Sequence, residues 1–178
     1  ARAAPRRGGR GVSASRAAWS VVELGPDHDR GGFDCGHPSL DSFIKQFAGQ
    51  NQKSGVSRTF VALMPGKATV RGYYSLAAGS VQFGNLTEGL RRRLPRYPGP
   101  VAHLGRLAVD RSAQGQGLGS FLLIDALRRV GKVDRDLGIH AVEVVAIDEA
   151  ARRFYLKYGF TALADDPHHL FISMKTVR

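Results

Sequence analysis

The segment from residue 103 to residue 131 constrains the fold of this 178-residue chain more than any other stretch. Residues 104–109 alternate in character and include apolar and β-branched side chains, which predicts a β-strand. The sequence Gln-Gly-Gln-Gly-Leu-Gly follows at 114–119, and apolar residues then recur at helical spacing from Leu123. Glycines let a backbone approach an anion closely, and the start of a helix presents unpaired N–H groups. The order strand, glycine loop, helix therefore predicts a site for a phosphate or pyrophosphate.

Two better-known glycine loops fit this sequence poorly. A Walker loop ends in Gly-Lys-Ser/Thr, whereas Gly119 is followed by Ser120 and Phe121. A dinucleotide-binding loop has the spacing G-x-G-x-x-G, whereas the glycines here are spaced G-x-G-x-G. A glycine-rich turn that binds no ligand is the alternative that the pattern alone leaves open.

Two separated motifs resemble those of the GCN5-related N-acetyltransferase (GNAT) superfamily. The pattern Gln114-x-x-Gly117-x-Gly119 is similar to the acetyl-CoA motif of that superfamily. Residues 148–160, with a Phe-Tyr pair and a closing Gly-Phe, resemble its last helix. The resemblance implies a mixed, mostly antiparallel, twisted α/β sheet with splayed central strands and helices on both faces.

A narrower resemblance covers residues 33–176. It rests on FDCG at 33–36, GYYSL at 72–76, LPRYP at 94–98 and RLAVD at 106–110. These segments are similar to the acetyltransferase toxins of type II toxin–antitoxin modules, which acetylate the amino group of aminoacyl-tRNA and block translation. The resemblance implies acetyl-CoA as co-substrate, aminoacyl-tRNA as substrate, a ribbon-helix-helix antitoxin and a homodimer. Two alternatives stay open: acetylation of a small-molecule or protein amine, and a non-catalytic basic module that binds nucleic acid.

The charge of the chain favours acidic partners. It carries 26 basic and 15 acidic residues, a net charge of +11. Residues 1–18 hold five of the arginines and no acid, which predicts a basic, disordered tail. Residues 19–178 are still basic and suit a single N-acetyltransferase domain. No apolar run reaches the roughly 18 residues of a membrane span, and a single cysteine, Cys35, fits a reducing compartment, so we expect a cytoplasmic protein.

Periodicity predicts three elements before the central strand. A helix should begin at Pro38, because a proline is well tolerated at the first helical position. Its apolar residues share one face: Leu40, Phe43, Ile44 and Phe47. Residues 58–63 predict a strand, and residues 70–83 a long strand or strand pair with bulges at Gly72 and Gly79.

The part of the chain after the central strand predicts one strand, a helix and a hairpin. Prolines should prevent regular structure just before the central strand: Pro95, Pro98 and Pro100. Residues 141–147 predict a buried strand, after which Asp148 caps a helix and Gly159 ends it. Residues 160–163 and 170–175 predict two final strands that pair as a hairpin.

The resemblance assigns the cofactor to the central strand and the loop after it. Backbone groups of Leu107, Ala108 and Val109 would hydrogen-bond the pantetheine or the thioester, although an ordinary buried strand has the same sequence pattern. The loop would bind the pyrophosphate through six residues: Gln114, Gly115, Gln116, Gly117, Leu118 and Gly119. Phe154 would line the cofactor channel.

Tyr155 is the candidate general acid, since it occupies the Phe-Tyr position from which a phenol would protonate the CoA thiolate. An aromatic residue of the core is the alternative. Ala151, Phe154 and Tyr158 share one helix face, so we expect these three to face the core and Tyr155 to point elsewhere. No general base is evident, because His103 is a lone strand histidine, and a route through bulk water can suffice. The histidines show no metal-ligand spacing, so no metal is expected.

Four arginines form the densest basic cluster outside the tail: Arg91, Arg92, Arg93 and Arg96. Two interpretations apply to this cluster. It is either a solvated basic helix end, which suits the helix dipole, or a patch that binds phosphates of the tRNA acceptor stem. Tyr97 would then be a stacking group for a base.

Overall fold

A seven-stranded sheet forms the centre of the structure. The computed structural model of the chain describes residues 18–92 and 99–178. The strands lie in the order β1-β2-β3-β4-β5-β7-β6, and every neighbouring pair is antiparallel except β4 and β5. Their bounds are β1 Ser20–Glu23, β2 Arg58–Leu63, β3 Gly72–Val81, β4 Gly99–Val109, β5 Ala141–Val145, β6 Thr161–Ala162 and β7 His169–Ser173. The predicted tail, apart from Ala18, lies outside the described residues, as do Arg93, Arg96 and Tyr97.

Helices and short helical turns connect the strands. The α-helices of the described part are α1 Pro38–Ser42, α2 Ala48–Lys53, α3 Glu88–Arg91, α4 Leu118–Leu137, α5 Glu149–Lys157 and α6 Met174–Val177. A π-helix, Phe43–Phe47, joins α1 to α2, and 3₁₀ turns occupy Phe83–Asn85 and Arg111–Ala113. Within the described residues, no helix is both long enough and apolar enough to cross a membrane.

The helices cover both faces of the sheet. On one face, α4 and α5 bury Leu122, Leu123 and Tyr155 against the sheet. On the other face, the segment from α1 to α2 buries Phe43 and Ile44 against strand residues that include Val61 and Tyr73. This arrangement confirms the predicted fold class, a mixed and mostly antiparallel α/β sheet with helices on both faces.

The helix predicted from Pro38 is present, but its buried face differs from the prediction. The π-helix fits more residues into a turn than an α-helix does, and so rotates the residues that follow it. As a result Ala48 is buried, whereas the side chain of Phe47 is 54% exposed. The prediction that Phe47 completes the apolar stripe is therefore wrong.

The bulge of the sheet lies on β4, not at the glycines that were expected to form one. Ser75 pairs with Arg106 and Leu76 pairs with Leu104, so Gly105 is the extra residue between them. The prediction of bulges at Gly72 and Gly79 is wrong. Glycine is required at these two positions because neighbouring side chains pack closely against the backbone. A Cβ atom at Gly72 would lie 2.9 Å from Leu122 of α4, and one at Gly79 would lie 3.3 Å from the Glu143 carboxylate.

Two strand boundaries also differ from the prediction. Pro100 lies inside β4 and pairs with Ser80, which is tolerated because it is only the second residue of the strand. β5 ends at Val145, and the side chains of Val145 and Ile147 are about half exposed rather than buried. The reason is that β4 is no longer paired with β5 beyond His103, so this end of β5 has a strand neighbour on one side only.

The predicted ends of α5 are confirmed. The Asp148 carboxylate accepts a hydrogen bond of 2.8 Å from the N–H of Ala151, as an N-cap residue should. Gly159 has a φ of +90°, the left-handed conformation that ends a helix. The predicted final hairpin is also present, as the antiparallel pair β6 and β7. Its second strand ends at Ser173 rather than at Lys175, because α6 begins at Met174.

We expect Gly72→Ala to destabilise the protein by about 1–3 kcal/mol, the usual cost of overpacking a core. The added methyl group would press on Leu118, Leu122 and the carbonyl oxygen of Ala108. Urea unfolding measures the change in the free energy of unfolding. Gly84→Ala is the matched control, because no heavy atom lies within 4 Å of the methyl position there. Equal stabilities of the two variants would contradict the close approach of α4 to β3.

Candidate active site

A cleft opens where the two central strands separate. β4 and β5 pair over only three positions, from Val101 with Ala141 to His103 with Glu143. Beyond His103, the edge of β4 that faces β5 has no strand partner. The N–H of Asp110 donates to a carbonyl on the β3 side, and backbone groups alternate between the two edges of a strand. The N–H and C=O groups of Leu107 and Val109 therefore face the cleft, whereas those of Ala108 pair with β3.

Two adjoining cavities of about 290 Å³ and 200 Å³ occupy this cleft. Both are lined by Leu40, Leu107, Ile147 and Ala151. The larger cavity ends at Tyr155 and Gly105, close to the point where the strands meet. The smaller one extends to Val109 and Gln114, at the start of the glycine loop. The cleft thus connects the loop with Tyr155, and its shape suits a long, narrow ligand such as a pantetheine arm.

The glycine loop presents unpaired N–H groups at the start of the longest helix. Gly115 and Gly117 have φ values of +75° and +82°, which only glycine adopts readily. No heavy atom lies within 4 Å of a Cβ position at either glycine, so this surface is open. In the described chain the six backbone N–H groups of residues 115–120 have no hydrogen-bond acceptor, and no side chain caps α4. Together with the positive end of the helix dipole, these groups are suited to bind an anion.

The two glutamines of the loop hold its shape through their side chains. The Gln114 amide donates to the carbonyl oxygens of Cys35 and Val109, at 3.1 Å and 3.0 Å. The Gln116 amide donates to the carbonyl oxygen of Ser112 at 3.1 Å. Both side chains are therefore occupied by the protein, and the loop would hold a ligand through its backbone. The side chain of Leu118 is buried in the core, so this residue can also offer a ligand only its backbone N–H.

Asp110 is a residue of the site that the sequence reasoning missed. Its carboxylate accepts hydrogen bonds from the N–H of Asp34 at 2.9 Å and from the N–H and hydroxyl of Ser112. Burial by itself would raise the pKa of Asp110, but the bonds from Ser112 and Asp34 outweigh it and lower that pKa. Asp110 thus ties the glycine loop to the segment before α1. The sequence signals were its position directly after a strand and its place in the RLAVD segment at 106–110.

Phe154 lies between the glycine loop and α5. Its ring is 3.8 Å from the Cβ position of Gly119 and packs on Tyr155 and Tyr158, with ring centroids 5.2 Å and 5.1 Å apart. The hydroxyl of Tyr158 hydrogen-bonds that of Ser120 in the first turn of α4. Phe154 is not among the described residues that line the two cavities. Its contacts fix the position of α5 relative to the loop.

Tyr155 is the buried residue of α5, with 5% of its surface exposed. Ala151, Phe154 and Tyr158 pack against the core as expected, but the expectation that Tyr155 points elsewhere is wrong. The chain reverses after α5, and Phe160 packs on Tyr155 with ring centroids 5.4 Å apart. The Tyr155 hydroxyl has no hydrogen-bond partner in the described structure, and the side chain lines the larger cavity. Burial raises the pKa of Tyr155, so its phenol stays protonated and can act as a proton donor.

The arginines of the α3 segment differ in what they contact. Arg91 donates to the carbonyl oxygens of Gly84 and Leu86, which fixes the segment before α3. Arg92 pairs with Glu88 at 2.7 Å, and its side chain is 77% exposed. The segment is anchored through Leu86, which packs with Val81, Val101, Ala141, Leu163 and Phe171. Strand alternation places Val101 and Ala141 on the same sheet face as His103 and Glu143.

The structure also assembles a cluster that the sequence did not predict. His103 and Glu143 lie side by side on β4 and β5, and His169 of β7 completes the contact with Glu143. Among residues 18–92 and 99–178, no three histidine, cysteine or acidic side chains are arranged to hold a metal ion.

Comparison with known proteins gives consistent matches over most of the chain. The sequence profile of the family described as acetyltransferase (GNAT) domain matches residues 57–162. A tRNA-acetylating toxin of Mycobacterium tuberculosis is 42% identical over 146 residues, which are 82% of this chain and 86% of that protein.

Two solved structures of the toxin AtaT are similar in fold. AtaT complexed with acetyl-methionyl-tRNAfMet has a TM-score of 0.84 and 29% identity, covering 90% of this chain and 97% of that one. A mutant AtaT bound to the C-terminus of the antitoxin AtaR and to acetyl-CoA has a TM-score of 0.76 and 28% identity, covering 90% and 96%.

We expect acetyl-CoA to raise the melting temperature of the protein, because its pyrophosphate would bind the free N–H groups of residues 115–120. At one hundred times its dissociation constant, a ligand adds about 2.7 kcal/mol to the free energy of unfolding. Gly117→Glu should remove this gain, since the new carboxylate would occupy the anion site.

Gly66→Glu is the matched control for strain. Gly66 also has a positive φ, of +68°, and open space at its Cβ position, but it lies in the turn after β2. This variant should lose stability and still respond to acetyl-CoA. A parent protein whose melting temperature does not change with acetyl-CoA would contradict the assignment of the loop.

Proposed function

We propose that this chain, which belongs to the acetyltransferase (GNAT) domain family, is a toxin of a toxin–antitoxin module that acetylates the amino group of aminoacyl-tRNA and so blocks translation. The observation that carries the proposal is the cleft between β4 and β5, which has an anion-binding loop at one end and a buried, protonated tyrosine at the other. The tRNA-acetylating toxin that is 42% identical supports the choice of substrate. The likeness to AtaT in its complex with acetyl-methionyl-tRNAfMet supports it as well.

The cleft would bind acetyl-CoA along its length. The N–H groups of residues 115–120 would bind the pyrophosphate, and the free backbone groups of Leu107 and the free N–H of Val109 would hydrogen-bond the pantetheine. This places the thioester near Tyr155, at the closed end. The backbone groups of Ala108 pair with β3 and are not available to the cofactor. Phe154 packs on Tyr155 and on the glycine loop and so supports both. The acetyl donor is the second substrate, and the proposed steps use no metal.

The chemistry is an acyl transfer with two proton movements. The neutral amine attacks the thioester carbonyl, so that a C–N bond forms and the C–S bond breaks. The oxyanion that develops is stabilised by N–H donors already in place, for which the free strand edge at Leu107 is positioned. Tyr155 donates its proton to the leaving sulfur, and the nitrogen releases one proton. A phenol with a raised pKa suits this step, because it is protonated at neutral pH.

The macromolecular partners follow from charge and from the resemblance. The net charge of +11 favours nucleic acid, and Arg92 presents an exposed cation on the sheet face that carries His103. Arg91, Arg93 and Arg96 complete the proposed phosphate-binding segment in sequence, with Arg91 acting mainly as its internal support.

We assign residues 19–178 to the catalytic domain and residues 1–18 to a basic tail. A ribbon-helix-helix antitoxin, a homodimer and action in the cytoplasm belong to the same proposal.

We expect Tyr155→Phe to lower the turnover number by about 10²- to 10⁴-fold, the range for loss of a general acid. The phenyl ring preserves packing on Phe154 and Phe160, so stability and acetyl-CoA affinity should stay close to those of the parent. Steady-state kinetics, a thermal scan and an acetyl-CoA titration measure these three quantities. Tyr158→Phe is the control, since it also removes one phenol that packs on Phe154, at the residue that follows α5 and outside the cavity. Parent-like turnover in Tyr155→Phe would leave this tyrosine a packing residue.

We expect the protein to acetylate charged tRNA and, when produced without an antitoxin, to arrest growth. A panel of aminoacyl-tRNAs with labelled acetyl-CoA identifies the amino acid that is accepted. Polyamines, free amino acids and a basic protein are tested under the same conditions. Turnover of a small or protein amine without any acetylation of charged tRNA would replace the toxin by the alternative acetyltransferase. Acetyl-CoA binding without any turnover would point to the non-catalytic module.

We expect replacement of Arg92 and Arg93 by Ala to weaken acetylation of charged tRNA and to flatten its salt dependence. Each lost phosphate contact should reduce the slope of log affinity against log salt by about one unit. Arg91 is left intact because its bonds to Gly84 and Leu86 hold the segment together.

Arg58→Ala is the control for a general loss of charge. Arg58 is exposed and paired with Glu23 at 3.2 Å, much as Arg92 is with Glu88, but it lies on β2. This control should keep the parental salt slope. An unchanged slope in the Arg92 and Arg93 double variant would show that the segment binds no phosphate and is only a basic helix end.

A further inference from the structure

A chain of four ionisable groups, with the buried carboxylate of Glu143 between two imidazoles, lies beside the position where β4 and β5 separate. Glu143 Oε2 is 2.7 Å from Nε2 of His169, and Nδ1 of His169 is 2.8 Å from the Asp165 carboxylate. Glu143 Oε1 lies 3.3 Å from Nδ1 of His103. Only 9% of Glu143 is exposed, so this carboxylate depends on its two imidazole neighbours for partners.

His103 is the member of this cluster that can reach a ligand. It pairs with Glu143 in the last position of the β4–β5 ladder, after which the strands separate and the cleft begins. Its Nδ1 atom is buried against Glu143 without a well-aligned hydrogen bond. Its Nε2 atom is not among the buried unpaired atoms and has no partner in the described chain. The free nitrogen is therefore available to a substrate.

The bulge glycine leaves the cavity open toward this imidazole. Gly105 lines the larger cavity together with Tyr155. A Cβ atom at Gly105 would lie 3.5 Å from Cδ2 and 3.6 Å from Nε2 of His103, and 3.1 Å from the Ser75 hydroxyl. Only a residue without a side chain fits there without crowding. The absence of a Cβ atom thus keeps the edge of the imidazole beside the closed end of the cavity.

We propose that His103 is the general base of the reaction and that Glu143, held by His169 and Asp165, is the residue that positions it. This proposal rests on the acetyltransferase function proposed above. As the C–N bond forms, Nε2 of His103 takes one proton from the attacking nitrogen, and Tyr155 gives one proton to the sulfur as the C–S bond breaks. The products are the acetylated amine and CoA. His103 then releases its proton to water and Tyr155 regains one, so both groups are reset.

The charges around His103 suit this role. Burial alone would raise the pKa of Glu143, but His103 and His169 outweigh it and lower that pKa, so the carboxylate is ionised at neutral pH. Burial alone would lower the pKa of His169, but its bonds to Asp165 and Glu143 outweigh burial and raise it. An ionised carboxylate therefore lies 3.3 Å from Nδ1 of His103, on the ring atom opposite the one that would take the proton.

The neighbouring elements add no second carboxylate beside His103. Glu143 on β5 is the only acidic group within 4 Å of its imidazole in the described structure. β3 presents Gly79 and Ser75, neither of which titrates in this range. Arg106, further along β4, holds its guanidinium over the ring of Phe43 at 3.8 Å.

The test compares pH profiles of turnover for the parent, His103→Gln and Glu143→Gln, at saturating acetyl-CoA. We expect His103→Gln to lower turnover at pH 7 by about 10²-fold or more, the lower end for loss of a general base. It should also remove the acid limb that this imidazole gives to the parent profile. The profile of Glu143→Gln should keep an acid limb, but at a different pH, because the charge beside the imidazole has changed. Acetyl-CoA affinity should not change in either variant.

Chemical rescue separates a base from a structural residue. We expect added imidazole to restore part of the turnover of His103→Ala, because a small base can enter the space that is left. His168→Gln is the matched control, since His168 lies 3.4 Å from the exposed carboxylate of Glu149 and outside the cluster. It should keep the parental profile. A parental profile in His103→Gln, or a folded His103→Ala that imidazole does not rescue, overturns the proposal.

The outcome for His103 can be told apart from that for the substrate. The profiles are measured with whichever amine the parent acetylates, charged tRNA or a small amine. If the parent acetylates only small amines, the toxin assignment fails while the His103 test still runs. Should Glu143→Gln fail to fold, the His103 variants alone decide the question.

Discussion

The separation of β4 from β5 beyond His103 and Glu143 is the constraint on which the rest of the site depends. Strands buried in a sheet normally satisfy their N–H and C=O groups on both edges. From Leu104 onward, β4 has β3 on one edge and no strand on the other. The Gln114 amide satisfies the carbonyl oxygen of Val109, and the remaining groups of this edge are left to whatever occupies the cleft. A ligand that lies alongside β4, in the place of a neighbouring strand, can satisfy the groups on this edge.

The two ends of the cleft differ in physical character, and the difference matches the two ends of acetyl-CoA. At the glycine loop, neutral N–H groups and a helix dipole attract a multiply charged anion without any buried lysine or arginine. At the other end the surroundings of Tyr155 are apolar, and burial keeps its phenol protonated. A charged group and a reactive thioester thus find opposite environments within one channel.

The sequence predicted well what depends on neighbouring residues and poorly what depends on contacts across the fold. The strand at 58–63 and the cap at Asp148 were predicted correctly, because alternation and capping are local properties. Gly72 was misread as a bulge because its reason is the distant Leu122 of α4. Tyr155 was placed on the wrong side of its helix because Phe160, beyond a chain reversal, covers it. The proposed base was not identified for the same reason, since His103 acquires its partner only when β5 pairs with β4.

The sheet itself separates the two groups that are proposed to transfer protons. Tyr155 belongs to the core under α4 and α5, whereas His103 and Glu143 lie on the opposite face, the face that carries α3 and Arg92. Side chains from both faces line the larger cavity, since Leu107 and Arg106 point to opposite sides of β4. The cavity therefore passes through the sheet at the point where the strands separate. An acyl donor held from the α4 side and a nucleic acid bound on the α3 side would meet there, which explains why the acid and the base of the reaction need not share one face.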